Sequence, residues 1–199
     1  MSSLLTPSVF ASSGSLRRFT VAEYQRMIET GILDEEDEVE LLQGYVVLKT
    51  PRNAPHDGMI PLVEEALARV LPPGWHIRIQ SALTLPDSVP EPDLAVVQGN
   101  KRLCLTRHPV PADVGLVVEV AESSLQRDRD GKGPMYASAG IPTYWLVNLV
   151  DGCLEVRTAP SGPTAAPGYA QRVDLTAGAT VTLQLGGVVG TVPVADLLP

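Results

Sequence analysis

Glu119 lies inside the apolar run Gly115-Leu116-Val117-Val118-Glu119-Val120-Ala121, and this one carboxylate limits what the chain can fold into more than any other residue. The run reads as a buried strand. An ionised carboxylate there is costly unless a cation, a proton or several hydrogen-bond donors compensate it. Upstream, Pro92-Asp93 opens a second apolar run, Leu94-Ala95-Val96-Val97. If the two strands are neighbours, Asp93 and Glu119 meet, and facing carboxylates repel. A shared divalent ion, Mg²⁺ or Mn²⁺, relieves that repulsion through hard oxygen ligands, with the Val120 carbonyl as a third donor. A Glu119 paired with an arginine, or turned to solvent on a strand edge, answers the same constraint without a metal.

With 199 residues, 44% of them hydrophobic, the chain can bury one substantial core. A single domain over 17–199 is expected, with a core at about 39–150 and a β-rich extension at 151–199. A Ser-rich flexible arm is expected over 1–16. No segment approaches the roughly 18–20 apolar residues of a membrane helix, and the start lacks the basic and apolar regions of a secretory signal. Cys104 and Cys153 stand outside any CxxC or Cys-His pattern, so neither a disulfide framework nor structural zinc is expected, and the setting read is a reducing cytoplasm. A formal net charge of −8 argues against nucleic-acid binding by bulk electrostatics. It leaves room for a nuclease whose ion and local basic strip offset the acidic surroundings. Lys101-Arg102 with Arg107-His108, and Arg127, Arg129 and Lys132, are such strips, each more readily a solvated face.

Thr20 and Glu23 form a capping-box pattern at the head of a helix over Val21 to Glu29. The acidic run Asp34 to Glu38 reads as a solvated turn, and Val39 to Leu48 as two strands joined near Gln43-Gly44. A helix is predicted from about Asp57 to Val70, with Pro61 in its first turn. A half-buried strand follows from Trp75 to Leu85. After the strands of Asp93 and Glu119 come a short helix over Met135 to Ala139 and a strand over Thr143 to Val147. That succession requires a strand–helix–strand crossover and a mixed sheet, in an α/β (α+β) arrangement.

From Glu40 to about Val150 the ordered pieces are Glu40-Leu-Leu-Gln-Gly44, His56, Pro92-Asp93, Val117-Val-Glu-Val120, Ser123-Ser124, Asp128, Lys132, Tyr136 and Gly140-Ile-Pro-Thr-Tyr-Trp145-Leu-Val. As a set they resemble the Uma2-like (DUF820) family of the PD-(D/E)xK nuclease superfamily. The resemblance implies a restriction-endonuclease-like core, a mixed sheet flanked by helices, with extra C-terminal strands. It implies Asp93 and Glu119 as metal-binding carboxylates and DNA as partner. The superfamily's lysine normally stands two residues after the second acid, where this chain has Ala121, so Lys132 is offered as its migrated counterpart. Glu40 corresponds to an acid supplied by an early element.

In that reading Lys132 orients a water or neutralises charge on phosphate. Glu40 holds a second ion or a water, and His56 contacts phosphate or serves as an auxiliary base. Gln80 is a weaker candidate for lining the site. Tyr136, Tyr144 and Trp145 are read as packing, and Asp128 as a helix cap. The segment Asp130-Gly131-Lys132-Gly133-Pro134 departs from the family pattern, since two glycines weaken a helix and proline suits only its first turn. Lys132 is therefore expected on a flexible lead-in. Three functions follow: a Mg²⁺-dependent nuclease acting on DNA, a catalytically impaired nuclease fold that binds nucleic acid or protein, or, more weakly, a structural protein whose buried acids pair with Arg127 or Arg129. A homodimer through the apolar C-terminal strands is one of the assemblies open to each.

Overall fold

The computed structural model describes residues 16–199, so the expected arm, Leu16 apart, lies outside the described residues. Helix α1 (Val21–Glu29) begins with the capping box: Thr20 accepts the Glu23 N–H, and Glu23 accepts the Thr20 N–H at 2.9 Å. The hairpin β1 (Val39–Leu42) and β2 (Tyr45–Leu48) is a separate two-stranded sheet. It docks on the rest through the bridge of Leu41 to Val89 and through bonds such as the Gly44 N–H to the Asp87 carbonyl at 2.9 Å.

Helix α2 (Ala54–Ala68) starts earlier than the sequence suggested. Asn53 caps it by accepting the His56 N–H at 3.2 Å, and Pro55 takes the first-turn place assigned to Pro61. Pro61 instead lies in the helix interior, where it cannot donate to the Asp57 carbonyl. The earlier start moves His56 from a loop onto the first helical turn.

Six strands then form one mixed sheet whose spatial order follows chain order: β3 (Trp75–Ile79), β4 (Leu94–Gln98), β5 (Val114–Ala121), β6 (Thr143–Asn148), β7 (Cys153–Pro160) and β8 (Tyr169–Leu175). The strand expected to run to Leu85 stops at Ile79. Gln80 turns left-handed, with φ 43°, and donates its N–H to the Asp93 carbonyl at 3.0 Å. Beyond it the chain stays bonded in the same register, Leu83 N–H to the Pro90 carbonyl and Leu85 N–H to the Ser88 carbonyl, each at 2.9 Å. Every pairing is antiparallel except β5 with β6. Their connection carries the expected crossover helix as α3 (Leu125–Arg127), a wide turn (Asp128–Lys132) and α4 (Gly133–Ser138).

Both faces of β5 are buried, which is why its sequence reads as a continuous apolar run. Leu116, Val118 and Val120 pack with Val63 and Leu67 of α2. They share that cluster with Val181, Leu183 and Leu185 of β9 (Thr180–Leu185), which pairs with β10 (Val188–Pro193). Val117 and Ala121 point the other way, against Met135 and Tyr136 of α4 and Tyr144 of β6. The period of two puts Glu119 on that second face, under the crossover helix. The mixed sheet flanked by helices is the architecture expected. No helix among the described residues is long and apolar enough to cross a membrane.

Candidate active site

The antiparallel register pairs Leu94 with Val118, so one rung further Asp93 faces Glu119 where β4 begins. The Asp93 N–H points to Glu119 Oε2 at 3.4 Å, and Asp93 Oδ2 accepts the Val120 N–H at 2.8 Å. His56, brought over by the first turn of α2, sets Nε2 3.1 Å from the same Oδ2. Glu119 Oε1 receives Lys132 Nζ at 3.1 Å and the Tyr136 hydroxyl at 2.7 Å. From β1, Glu40 Oε1 receives Arg127 Nη2 at 2.6 Å and lies 3.5 Å from Lys132 Nζ, while its Oε2 accepts the Glu91 N–H at 3.2 Å. Asp128 closes the group from the wide turn, with Gln80 on the wall. Thus Glu40, His56, Asp93, Glu119 and Lys132, from five separate stretches of chain, line one cleft of about 90 Å³. A water needs roughly 10–15 Å³ of such space, so several fit.

The polar groups of this cleft sit deep. Glu40, Asp93, Glu119, Asp128 and Lys132 are 2, 8, 3, 4 and 7% exposed. Burial pushes the Glu119 carboxyl up to about 8; Lys132 opposes that shift, and Asp128, Asp93 and Glu40 add to it. Burial likewise raises Asp128. For Lys132 burial works downward, but Glu119, Glu40 and Asp128 outweigh it and raise the ammonium, which stays charged. The hydrogen bond to Asp93 raises His56 above its ordinary value, against the lowering effect of desolvation. Glu40, Asp93, Asp128 and a Glu119 that burial keeps protonated below about 8 thus face Lys132, Arg127 and the His56 imidazole.

The sequence profile described as "Uma2: Putative restriction endonuclease" matches residues 21–191. The chain belongs to the Uma2 family. Among solved structures, this Uma2 protein is similar to "a putative nuclease belonging to DUF820 from Anabaena variabilis ATCC 29413". The TM-score is 0.63 at 13% identity, over 83% of this chain and 89% of that one. A likeness at that identity establishes the shared fold. No curated protein matches the chain.

Four placements correct or extend the sequence reading of this Uma2 chain. Lys132 is not on a flexible lead-in: α3, the wide turn and α4 run on as one helical stretch, and Lys132 is buried within it. Asp128 caps no helix but sits mid-stretch in the cleft. Its spacing of four from Lys132 was a usable signal, since that interval places side chains on one helix face, but the intervening glycine hid it. Tyr136 packs as expected, yet its hydroxyl also ends on Glu119, and nothing in the sequence distinguishes it from Tyr144. The strip Arg127, Arg129 and Lys132 is not a solvated basic face, because its charges are held by Glu40, Glu155 and Glu119.

Among the described residues no three His, Cys, Asp or Glu side chains converge closely enough to enclose a metal ion. The donor set still fits one class of ion. Mg²⁺ is usually held by one or two carboxylates and keeps several waters, without an all-protein cage. Asp93 and Glu119 supply those carboxylates, and Asp93 Oδ1 is outside the contacts that occupy Oδ2. The Val120 N–H points to Asp93, and in a strand the carbonyl of the same residue faces the same edge. A divalent cation beside Asp93 and Glu119 would favour the ionised form of Glu119 that burial disfavours.

Between pH 4.5, the ordinary value for Glu119, and about 8, its folded value, the folded chain holds the extra proton. Stability therefore falls as pH rises through that window. His56 acts in the same sense: its raised value contributes below its ordinary 6.5 and is lost as pH passes its folded value. Thermal melts in chelator are expected to show a falling Tm from pH 5 to 8, with a clearly flatter profile for Glu119→Gln. Parallel profiles would contradict the assignment of the proton to Glu119.

Proposed function

We propose that this Uma2 protein is a Mg²⁺- or Mn²⁺-dependent nuclease that hydrolyses DNA phosphodiester bonds by metal-assisted attack of water. The observation that supports it most is the convergence of Glu40, Asp93, Glu119 and Asp128 on one buried lysine in an open, water-sized cleft. Asp93 and Glu119, with the Val120 carbonyl, would hold the ion. A divalent ion in such a place polarises a phosphoryl oxygen and acidifies water.

The chain's own residues do the rest. Lys132 carries a fixed charge toward the acids and stabilises negative charge developing on phosphate. Tyr136 and Lys132 together hold Glu119 Oε1, orienting its carboxylate. His56, turned to Asp93, contacts the phosphate or serves as an auxiliary base. Glu40 orients a water, itself fixed by Arg127. The impaired-nuclease reading draws on the Gly-Lys-Gly-Pro segment and on the net charge of −8; the buried, bonded Lys132 weighs against the first ground and leaves the second.

Calorimetric titration of Mn²⁺ tests the site. Wild type is expected to bind one ion, and Asp93→Asn to bind at least about tenfold more weakly, by loss of one charged ligand. Equal binding by the two proteins would refute the assignment.

A further inference from the structure

Pro134 leaves a carbonyl of the wide turn without its regular partner, and an arginine from the sheet takes that place. Within the turn the Gly133 N–H reaches back five residues to the Asp128 carbonyl. The next rung of this register joins residue 134 to the Arg129 carbonyl, but proline has no N–H. Arg157, on β7, donates Nη1 to that carbonyl at 3.1 Å. Its Nη2 is held by Glu155 Oε2 at 2.8 Å. Glu155 is fully buried, and its Oε1 also receives Arg129 Nε and Asn148 Nδ2, each at 3.1 Å. Tyr144, on β6, donates its hydroxyl to the Asp128 carbonyl at 3.1 Å. Gly133 is where this clamp comes closest: a Cβ there would stand 3.2 Å from Arg157 Nη1 and 3.4 Å from the Tyr144 ring. The Gly-Pro pair is thus matched to Arg157. Proline removes the donor, and glycine admits its replacement.

We propose that Arg157, oriented by Glu155, is a positioning residue that fixes the wide turn and thereby aims Lys132 at Glu119 and Glu40. Reversion of the turn to regular helix would rotate the segments on its two sides by about 100°, one residue's worth of helix. Arg127, before the turn, reaches Glu40, and Tyr136, after it, reaches Glu119, so the two could not both keep their places. The clamp ends on backbone carbonyls and on Glu155, away from the four acids, so it holds the lysine without using the site's own charges. Its consequence for cleavage rests on the nuclease reading; the clamping of the turn does not.

The test compares Arg157→Met, Pro134→Ala and the double variant by amide hydrogen exchange and by DNA cleavage. Arg157→Met is expected to speed exchange of the Gly133 N–H about tenfold, the worth of one hydrogen bond, with Val118 of β5 unchanged. Pro134→Ala supplies the missing N–H, so the double variant is expected to return to within about threefold of wild type. Cleavage is expected to fall and recover in the same order. A purely structural arginine is not rescued by a residue that restores a different donor. Unchanged Gly133 exchange in Arg157→Met, or no recovery in the double variant, overturns the proposal. If Arg157→Met does not fold, folding of the double variant becomes the readout, and its failure also overturns the proposal. A wild type that cleaves no DNA defeats the nuclease reading alone, and the exchange data still decide the clamp.

Discussion

Glu119→Gln is expected to lower DNA cleavage in Mg²⁺ by about 10³-fold or more, or about 4 kcal/mol of transition-state stabilisation. Glutamine keeps the side chain's size and an oxygen for Lys132 and Tyr136, so the fold is retained and only the charge goes. That separates a ligand from a packing residue. Loss of cleavage with an intact circular dichroism spectrum identifies Glu119 as a group that meets the ion. Single-turnover rates within tenfold of wild type would leave the carboxylate a structural acid, and the nuclease reading would lose its central residue.

Lys132→Met is expected to cost about 3–5 kcal/mol of stability at pH 8 in chelator, the usual penalty for leaving buried charges without a partner. The ammonium lies 3.1 Å from Glu119 and 3.5 Å from Glu40, both nearly excluded from water. Two remedies should restore part of the loss. At pH 5 Glu119 takes up a proton, and at neutral pH Mn²⁺ supplies the missing charge. Denaturant melts under the three conditions check this. An unchanged midpoint at pH 8 would mean that the acids are balanced without the lysine.

The element order and the pair Asp93–Glu119 were legible because each rests on a local pattern with a period. Apolar runs marked β4 and β5, and the capping-box pattern at Thr20 and Glu23 marked α1. What escaped depended on backbone partners distant in sequence. Asn53 captured the start of α2 from Asp57, so Pro61 ended inside the helix. The left-handed backbone at Gln80 ended the regular strand early, although the next rung to Asp93 still forms. The segment around Lys132 was misread for the same reason: glycine and proline propensities describe a helix alone, and Arg157 lies 23 positions beyond Pro134. Glu155 drew no notice at all, because a lone acid in a β-rich stretch is a common surface residue. Its three arginine neighbours, Arg129, Arg157 and Arg172, are scattered in the chain.

A sheet whose strand order repeats chain order can assemble by successive additions, each new strand laid beside the last. Five such additions build it, and four of them are antiparallel. The fifth, β5 with β6, is parallel and must close the whole helical crossover before its first rung forms. Loop closure of that kind slows folding, so this pairing is the expected rate-limiting event. The crossover also carries Asp128, Lys132 and Tyr136. The chain therefore cannot complete its sheet without delivering the lysine to the acids, and a β4–β5 pair formed before that closure would hold Asp93 and Glu119 side by side without the lysine. Low pH or divalent ions should then speed folding as well as stabilise its product.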